Sequence, residues 1–240
     1  MFMRGDIRPI GIFDSGIGGI SVLGLCAKKL PNEKFIYLAD KANMPYGEKS
    51  TDEIRTAAIS CAKTLVETNC KAIVVACNTA TETAIDDIRR LFPSLIVVGL
   101  EPALKPCYYS IGSGYAVALV TRATERSAKF KRLMSAYGDK IIACPQPELA
   151  RLIETHDINS AEIKSAVYSA LKNYRDASGI VLGCSHYTFV KKIIADFYDG
   201  NISIYDGADG ASDMLKTRLI LEGLCAPKNG PQSIRFYSTY

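Results

Sequence analysis

The sequence predicts an α/β protein of two pseudo-symmetric domains, each a largely parallel sheet flanked by helices. Three observations carry this. Short Val/Ile runs are apolar throughout instead of alternating, as strands buried on both faces are. Segments of helical period separate them, in βαβ order. The chain also repeats itself: IGIFD (10–14) and AVALV (116–120) lie 106 residues apart, and KAIVVAC (71–77) and SGIVLGC (178–184) lie 107 apart, with their cysteines superposed.

Taken in order, the first strand is PIGIF (9–13), which runs into the Gly-rich turn DSGIGG (14–19). A helical pattern covers 19–29, a strand KFIYL (34–38), a helix 50–68, a strand AIVVA (72–76), a helix 79–91 and a strand LIVV (95–98). The second half follows the same plan. Strands fall at 115–120 (YAVALV), 140–143 (KIIA), 179–183 (GIVLG) and 202–205 (ISIY). Helical patterns fall at 124–137, 147–154, 160–175, 186–198 and 208–222. The repeat suggests two similar halves, and the chain is read as a first domain, 1–98 plus 208–240, and a second, 99–207, with the active site in a cleft between them if the halves face each other. The end, GLCAPKNGPQSIRFYSTY, carries Gly and Pro punctuation before an apolar finish. It fits a strand returning to the first domain or a loose tail.

Composition narrows the function. The 240 residues are 48% hydrophobic and 22% charged, in the range of a soluble globular chain. The net charge of +4 is spread among acids, so no nucleic-acid footprint stands out. KFKR (129–132), the densest basic run, reads as a solvated helix face. No apolar stretch approaches the ~18 residues of a membrane span, and MFMRGDIRPIGIFDSG has no signal-peptide core. A cytoplasmic protein with no membrane partner is expected. Eight cysteines include no CxxC pair and accompany only two histidines, so neither a metal site nor a disulfide framework is expected. Most of these thiols should pack as small apolar side chains.

Cys77 and Cys184 are the exceptions. Each ends a strand and opens a helical segment, and ligands of open α/β sheets bind beyond the carboxyl ends of the strands. A thiol at a helix N-terminus feels a positive field that favours the thiolate. If the two halves face each other, so do the two thiols. One carbon between them could lose a proton on one face and gain one on the other, which is racemisation or epimerisation. Asp14 can sit near one thiol, and Ser15 with the turn amides can bind an anion. Asn78 and Thr79 after Cys77, and Ser185 and His186 after Cys184, could grip a carboxylate. Taken alone, a strand-end cysteine, a Gly-rich turn or a histidine reads more simply as structure. Their joint occurrence at matched positions points to chemistry.

FDSGIGGISVL (13–23), YLADKANMPYGEKS (37–50), VVACNTAT (74–81), VVGLEPALKP (97–106), TRAT (121–124) and VLGCSHYTFV (181–190) together resemble the cofactor-independent aspartate/glutamate racemases, glutamate racemase in particular. The resemblance runs from about residue 9 to about 220. It implies two pseudo-symmetric α/β domains, interconversion of L- and D-glutamate for peptidoglycan, and no cofactor. It carries Cys77 and Cys184 over as the two catalytic thiols, with Asp14, His186 and Glu154 assisting. Asp14, Ser15, Pro45, Tyr46, Gly47, Cys77, Asn78, Thr79, Thr121, Cys184, Ser185 and His186 match substrate-binding positions. Family members are often dimers, so a homodimer is an expectation. The chain departs from the family's GCTHYP in having GCSHYT: Ser185 keeps the hydroxyl, and Thr188 replaces a helix-starting proline.

Three rival readings remain open. One is the same chemistry on aspartate or a hydantoin. Another is a phosphate- or nucleotide-binding module on DSGIGG, which lacks the lysine of a P-loop and a complete GxGxxG. The third is a regulatory protein that has lost catalysis.

Overall fold

The computed structural model describes residues 5–240. The first half runs β1 (Ile10–Asp14), α1 (Ile20–Lys29), β2 (Lys34–Ala39), α2 (Thr51–Glu67), β3 (Ala72–Val75), α3 (Asn78–Leu91) and β4 (Ile96–Gly99). The second runs α4 (Leu104–Ser110), β5 (Ala116–Val120), α5 (Arg122–Arg126), α6 (Ala128–Tyr137), β6 (Ile141–Pro145), α7 (Leu149–Thr155), α8 (Ala161–Leu171), β7 (Gly179–Gly183), α9 (Lys191–Phe197) and β8 (Ser203–Asp206). Then α10 (Ala208–Leu221) and β9 (Ser233–Ser238) close the described chain.

Every strand pairing is parallel. One sheet has the order β4-β3-β1-β2-β9, and the other reads β8-β7-β5-β6. Position for position, β1 to β4 match β5 to β8. The repeat seen in residues 10–14 and 116–120 is therefore a repeat of topology.

Period-2 side-chain alternation sends successive residues of each strand into different cores. In the first sheet, Ile10, Ile12 and Val74 pack with Val22 of α1 and Leu215 and Leu219 of α10. Phe13, Ile73 and Val75 pack on the other face with Ile54 and Leu65 of α2 and Ile85 of α3. In the second sheet, Leu119, Ile180 and Leu182 meet Ile153, Ile163 and Ile194 of α7, α8 and α9. Ala118 and Val181 face Leu104 of α4 and Phe130 of α6. With both faces covered, the inner strands β3, β5 and β7 need no polar residue, which is why those runs are apolar throughout, whereas β9 at the sheet edge is exposed and carries Ser and Arg.

Local chemistry fixes the boundaries. The Ser50 hydroxyl accepts from the Glu53 N–H at 3.3 Å while Glu53 accepts from the Ser50 N–H at 2.9 Å, a capping box that starts α2. The pattern expected as one helix over 124–137 divides at Ser127, whose extended backbone and hydroxyl cap α6 through the Phe130 N–H at 3.0 Å. The segment expected as helix 186–198 opens as a 3-10 turn over Ser185–Val190, with the Thr188 hydroxyl donating to the Ser185 carbonyl at 2.8 Å. The helix expected over 160–175 ends at Leu171, and α4 has no counterpart among the expected elements.

The C-terminal segment is the returning strand. β9 pairs with β2 from Lys34 opposite Ser233 to Ala39 opposite Ser238. A buried cluster fixes the approach to it. The Lys71 ammonium lies 2.6 Å from the Glu33 carboxylate and donates to the carbonyls of Asp6 and Leu224 at 2.6 and 2.7 Å. Glu33 in turn accepts from the Ala226 N–H at 2.8 Å. Both ends of the first half are thereby tied to the start of β3. KFKR lies on α6, where Lys131 and Arg132 are exposed, Lys129 pairs with Glu101 at 2.6 Å and Phe130 is buried.

Candidate active site

The carboxyl ends of β1, β3, β5 and β7 meet at one seam between the two sheets. Asp14 closes β1 with Ser15 after it, and Cys77 follows β3 as the N-cap of α3. On the other side Thr121 follows β5 as the N-cap of α5, and Cys184 follows β7. Cys77 and Cys184 are 4% and 6% exposed, and Asp14, Ser15, Asn78, Thr79, Thr121, Ser185 and His186 are buried around them.

Two hydroxyl contacts cross the seam at near-equivalent places. The Ser185 hydroxyl donates to Asp14 Oδ1 at 3.0 Å, and the Thr79 and Thr121 hydroxyls are 2.9 Å apart. Backbone is also pressed close. A Cβ on Gly16 would fall 1.8 Å from Glu154 Oε1, so only glycine allows the DSGIGG turn to meet α7. A Cβ on Gly47 would fall 2.9 Å from the Thr121 Cβ, which places the MPYG turn against the second half.

Each thiol has its own partners. Cys77 Sγ lies 3.8 Å from the Ser15 hydroxyl and accepts the Ala80 N–H at 3.5 Å. Cys184 Sγ lies 3.9 Å from His186 Nδ1. His186 Nε2 meets Glu154 Oε1 at 2.6 Å, and that oxygen also accepts the Ile17 N–H at 2.7 Å. The chain Cys184–His186–Glu154 thus ends on the turn after β1, in the opposite half.

The electrostatics separate the two ends. Burial pushes the Cys77 thiol well above its ordinary value, and the negative charges of Asp14 and Cys184 push the same way. The Ala80 N–H and the Ser15 hydroxyl oppose this without winning. The helix-end field expected to favour the Cys77 thiolate is therefore overridden while the seam is closed. Cys184 precedes a 3-10 turn instead of an α-helix, so the field expected there is not that of a regular helix end. His186 goes the other way. Burial lowers its pKa, but the hydrogen bonds to Cys184 and Glu154 and the charge of Asp14 raise it well above the ordinary histidine value. Glu154 is raised by burial and lowered by His186 and the Ile17 N–H, and the lowering prevails.

Of the expected site residues, all but Pro45 stand at the seam or one contact from it, and Pro45 is the neighbour of Tyr46. Asn78 donates to the Leu100 carbonyl at 3.0 Å, and its buried Oδ1 has no partner among the described residues. Pro45 precedes the 3-10 turn over Tyr46–Glu48, and Tyr46 packs in the same buried cluster as Cys77 while its hydroxyl donates to Asp40. Sequence reasoning missed three buried polar residues here. Asp40 holds Tyr46. The Tyr37 hydroxyl donates to the Gly16 carbonyl at 2.7 Å, bracing the DSGIGG turn. Glu82 lies one turn along α3 from Asn78, buried, with neither oxygen partnered among the described residues. Asp40 sits in the quoted YLADKANMPYG stretch, but nothing in its spacing distinguishes a buried aspartate from an exposed one.

Paired parallel sheets with a thiol at each matched rim suit proton transfer to and from one carbon, the chemistry of a racemase. The Asp/Glu/Hydantoin racemase family model matches residues 21–215, and the chain belongs to that family. It is 41% identical over 223 residues to a glutamate racemase of Clostridium perfringens, covering 90% of this chain and 86% of that one. It is 42% identical over 216 residues to a glutamate racemase of Clostridium acetobutylicum, covering 88% and 84%. A glutamate racemase from Francisella tularensis, solved in complex with D-glutamate, superposes with a TM-score of 0.82 at 30% identity, over 98% of this chain and 89% of that one.

Proposed function

We propose that this chain is a glutamate racemase that interconverts L- and D-glutamate by a two-thiol mechanism without a cofactor, supplying D-glutamate for peptidoglycan. The observation that carries the mechanism is the pair of strand-end cysteines buried at one seam, each with its own acid–base neighbours. The relatives named glutamate racemase support the substrate.

Glutamate binds between the halves. Ser15, Asn78 and Thr79 on one side, and Thr121, Ser185 and His186 on the other, offer hydroxyls, amides and N–H groups to its carboxylates. Pro45, Tyr46 and Gly47 shape the same wall. The direct contacts of Asp14 with Ser185 and of Thr79 with Thr121 must part to admit an amino acid, so admission requires the domains 1–98 plus 208–240 and 99–207 to separate. Reclosure excludes water and fixes donors around the carbanionic intermediate.

One thiolate takes the α-proton, and the opposite thiol returns a proton to the other face. The conditions at the two sulfurs suit this division of labour. Cys77, pushed up by burial and by Asp14, holds a proton ready to give. The hydrogen bonds of His186 to Cys184 and Glu154 favour its charged form against burial, so a negative sulfur there has a positive neighbour. When the proton passes, the roles exchange. Asp14 and Glu154 differ in reach: Asp14 acts on Cys77 through its charge, whereas Glu154 acts on Cys184 through His186.

The reading also takes the protein to be cytoplasmic and homodimeric. Among the described residues no helix is long and apolar enough to cross a membrane. Incubating purified protein with each enantiomer of glutamate and of aspartate, and following optical rotation, tests the substrate. Glutamate should racemise in both directions at comparable kcat/KM. Preference for aspartate would overturn the substrate assignment, and no turnover of either acid by folded protein would overturn the function.

A further inference from the structure

The C-terminal strand ends on a polar cluster that reaches the substrate wall. Thr239 follows β9, and its N–H donates to the Ala39 carbonyl at 3.0 Å. Its hydroxyl donates to Asp40 Oδ1 at 2.7 Å and accepts the Ala42 N–H at 3.0 Å. Asp40 is 1% exposed. Its carboxylate also accepts from Asn43 Nδ2 at 3.1 and 3.0 Å and from the Tyr46 hydroxyl at 2.5 Å. Its own N–H donates to the Asp14 carbonyl at 2.9 Å.

A carboxylate has about four acceptor sites. Here they are filled by three side chains from two distant stretches of sequence, and each bond constrains the others. Tyr46 is 1% exposed, so its hydroxyl has no water to fall back on if Asp40 turns away. One residue further on, Gly47 presses on Thr121 across the seam. The order of contact is therefore Thr239, Asp40, Tyr46, Gly47, Thr121.

We propose that Asp40, clasped by Thr239, is a positioning residue for the 45–47 turn, so that the end of β9 helps to shape the substrate site. The proposal rests on the glutamate racemase reading for its kinetic consequence and on geometry alone for its structural one. Thr239 touches no substrate, and Asp40 acts through Tyr46. Loss of the Thr239 hydroxyl leaves the Ala42 N–H and Asp40 Oδ1 short of a partner. The carboxylate is then held by Asn43 and Tyr46 alone, and the turn loosens.

The test compares Thr239→Val, which keeps the shape and removes the hydroxyl, with Thr239→Ser, which restores it. Hydrogen exchange of the 41–50 peptide is read by mass spectrometry, alongside kcat and KM for both glutamate enantiomers. The Met44 and Lys49 amides, which donate to the Lys41 and Tyr46 carbonyls, report the turn directly. Thr239→Val should exchange about tenfold faster over this peptide, the effect of one lost hydrogen bond. It should raise KM by about the same factor for both enantiomers and leave kcat within roughly threefold. Thr239→Ser should restore both readings. Unchanged exchange over 41–50 in Thr239→Val overturns the clasp, whatever the activity. Faster exchange with unchanged KM overturns its role in the substrate site. Inactive wild-type protein with the exchange difference intact would instead count against the racemase reading. Asp40→Asn is the second variant: it keeps the fold's shape, and failure to loosen the same peptide would equally overturn the proposal.

Discussion

Replacing Glu82 by Gln should stabilise the protein, and more strongly as pH rises. Glu82 lies on α3 and lines a cavity with residues of α2, α5 and α6. It is 7% exposed, and neither carboxylate oxygen has a hydrogen-bond partner among the described residues. Burial pushes its pKa from 4.5 to about 7; the charges of Lys129 and Arg132 pull it down, and that of Glu101 pushes it up. The folded state therefore holds a proton on Glu82 between about pH 4.5 and about pH 7 that the unfolded chain has released. A carboxyl with a raised folded pKa costs nothing below the unfolded value, and its cost grows as pH rises to the folded one. At 1.36 kcal/mol per unit, the cost reaches roughly 3 kcal/mol above pH 7. For a chain of this size that is a midpoint difference of roughly 6–12 °C. The assay is urea denaturation of wild type and Glu82→Gln at half-unit steps from pH 4.5 to 8.5. The difference in unfolding free energy should grow by up to about 1.4 kcal/mol per unit through the middle of that window and flatten above it. The difference between the curves carries the test, since Gln also leaves buried polar atoms to satisfy. Parallel curves for the two proteins would show that Glu82 ionises without penalty and would refute the reasoning.

Three further predictions come from the same contacts. Glu154→Gln removes the negative partner that holds His186 charged, so the His186 pKa should fall; NMR titration of its Hε1 resonance measures this, and an unmoved value would contradict the assignment. Gly16→Ala places a methyl against Glu154, so catalysis should drop by about tenfold or more while circular dichroism stays native, as expected when a misplaced group costs about 1.4 kcal/mol or more at the seam. Lys71→Ala strands the buried Glu33 carboxylate and the Asp6 and Leu224 carbonyls, and should cost about 3–5 kcal/mol in chemical denaturation.

The sheets were legible because their strands are buried on both faces, which leaves runs such as IVV and VVAC unmistakable against amphipathic helices. The duplication was legible because a cysteine fell at one offset in both halves. The short helices were not. Ser127 caps α6 within the stretch expected as one helix over 124–137, and a cap inside a helical pattern is visible only once the backbone bends. The site residues named from motifs gathered at the seam because motif spacing preserves strand ends. Asp40, Tyr37 and Glu82 were missed because their roles come from burial. A carboxylate enclosed between β9 and the MPYG turn depends on a contact between residues 40 and 239, which no local pattern records. The surroundings of Cys77 were only half legible. The helix-end field is local and readable, whereas the burial and the Asp14 charge that overcome it exist only in the closed fold.

The central claim is that two sulfurs work on opposite faces of one carbon. It is tested most directly in D2O, with unlabelled L-glutamate as substrate and NMR and chiral separation at under 5% conversion, roughly the regime in which the return reaction is negligible. The first D-glutamate formed should carry α-deuterium in nearly every molecule while the remaining L-glutamate keeps its protium, because the group that delivers is not the group that removed. Cys77→Ala and Cys184→Ala should each abolish the conversion. Protium retained in the D-product, or racemisation at the wild-type rate by either alanine variant, would contradict the two-thiol account.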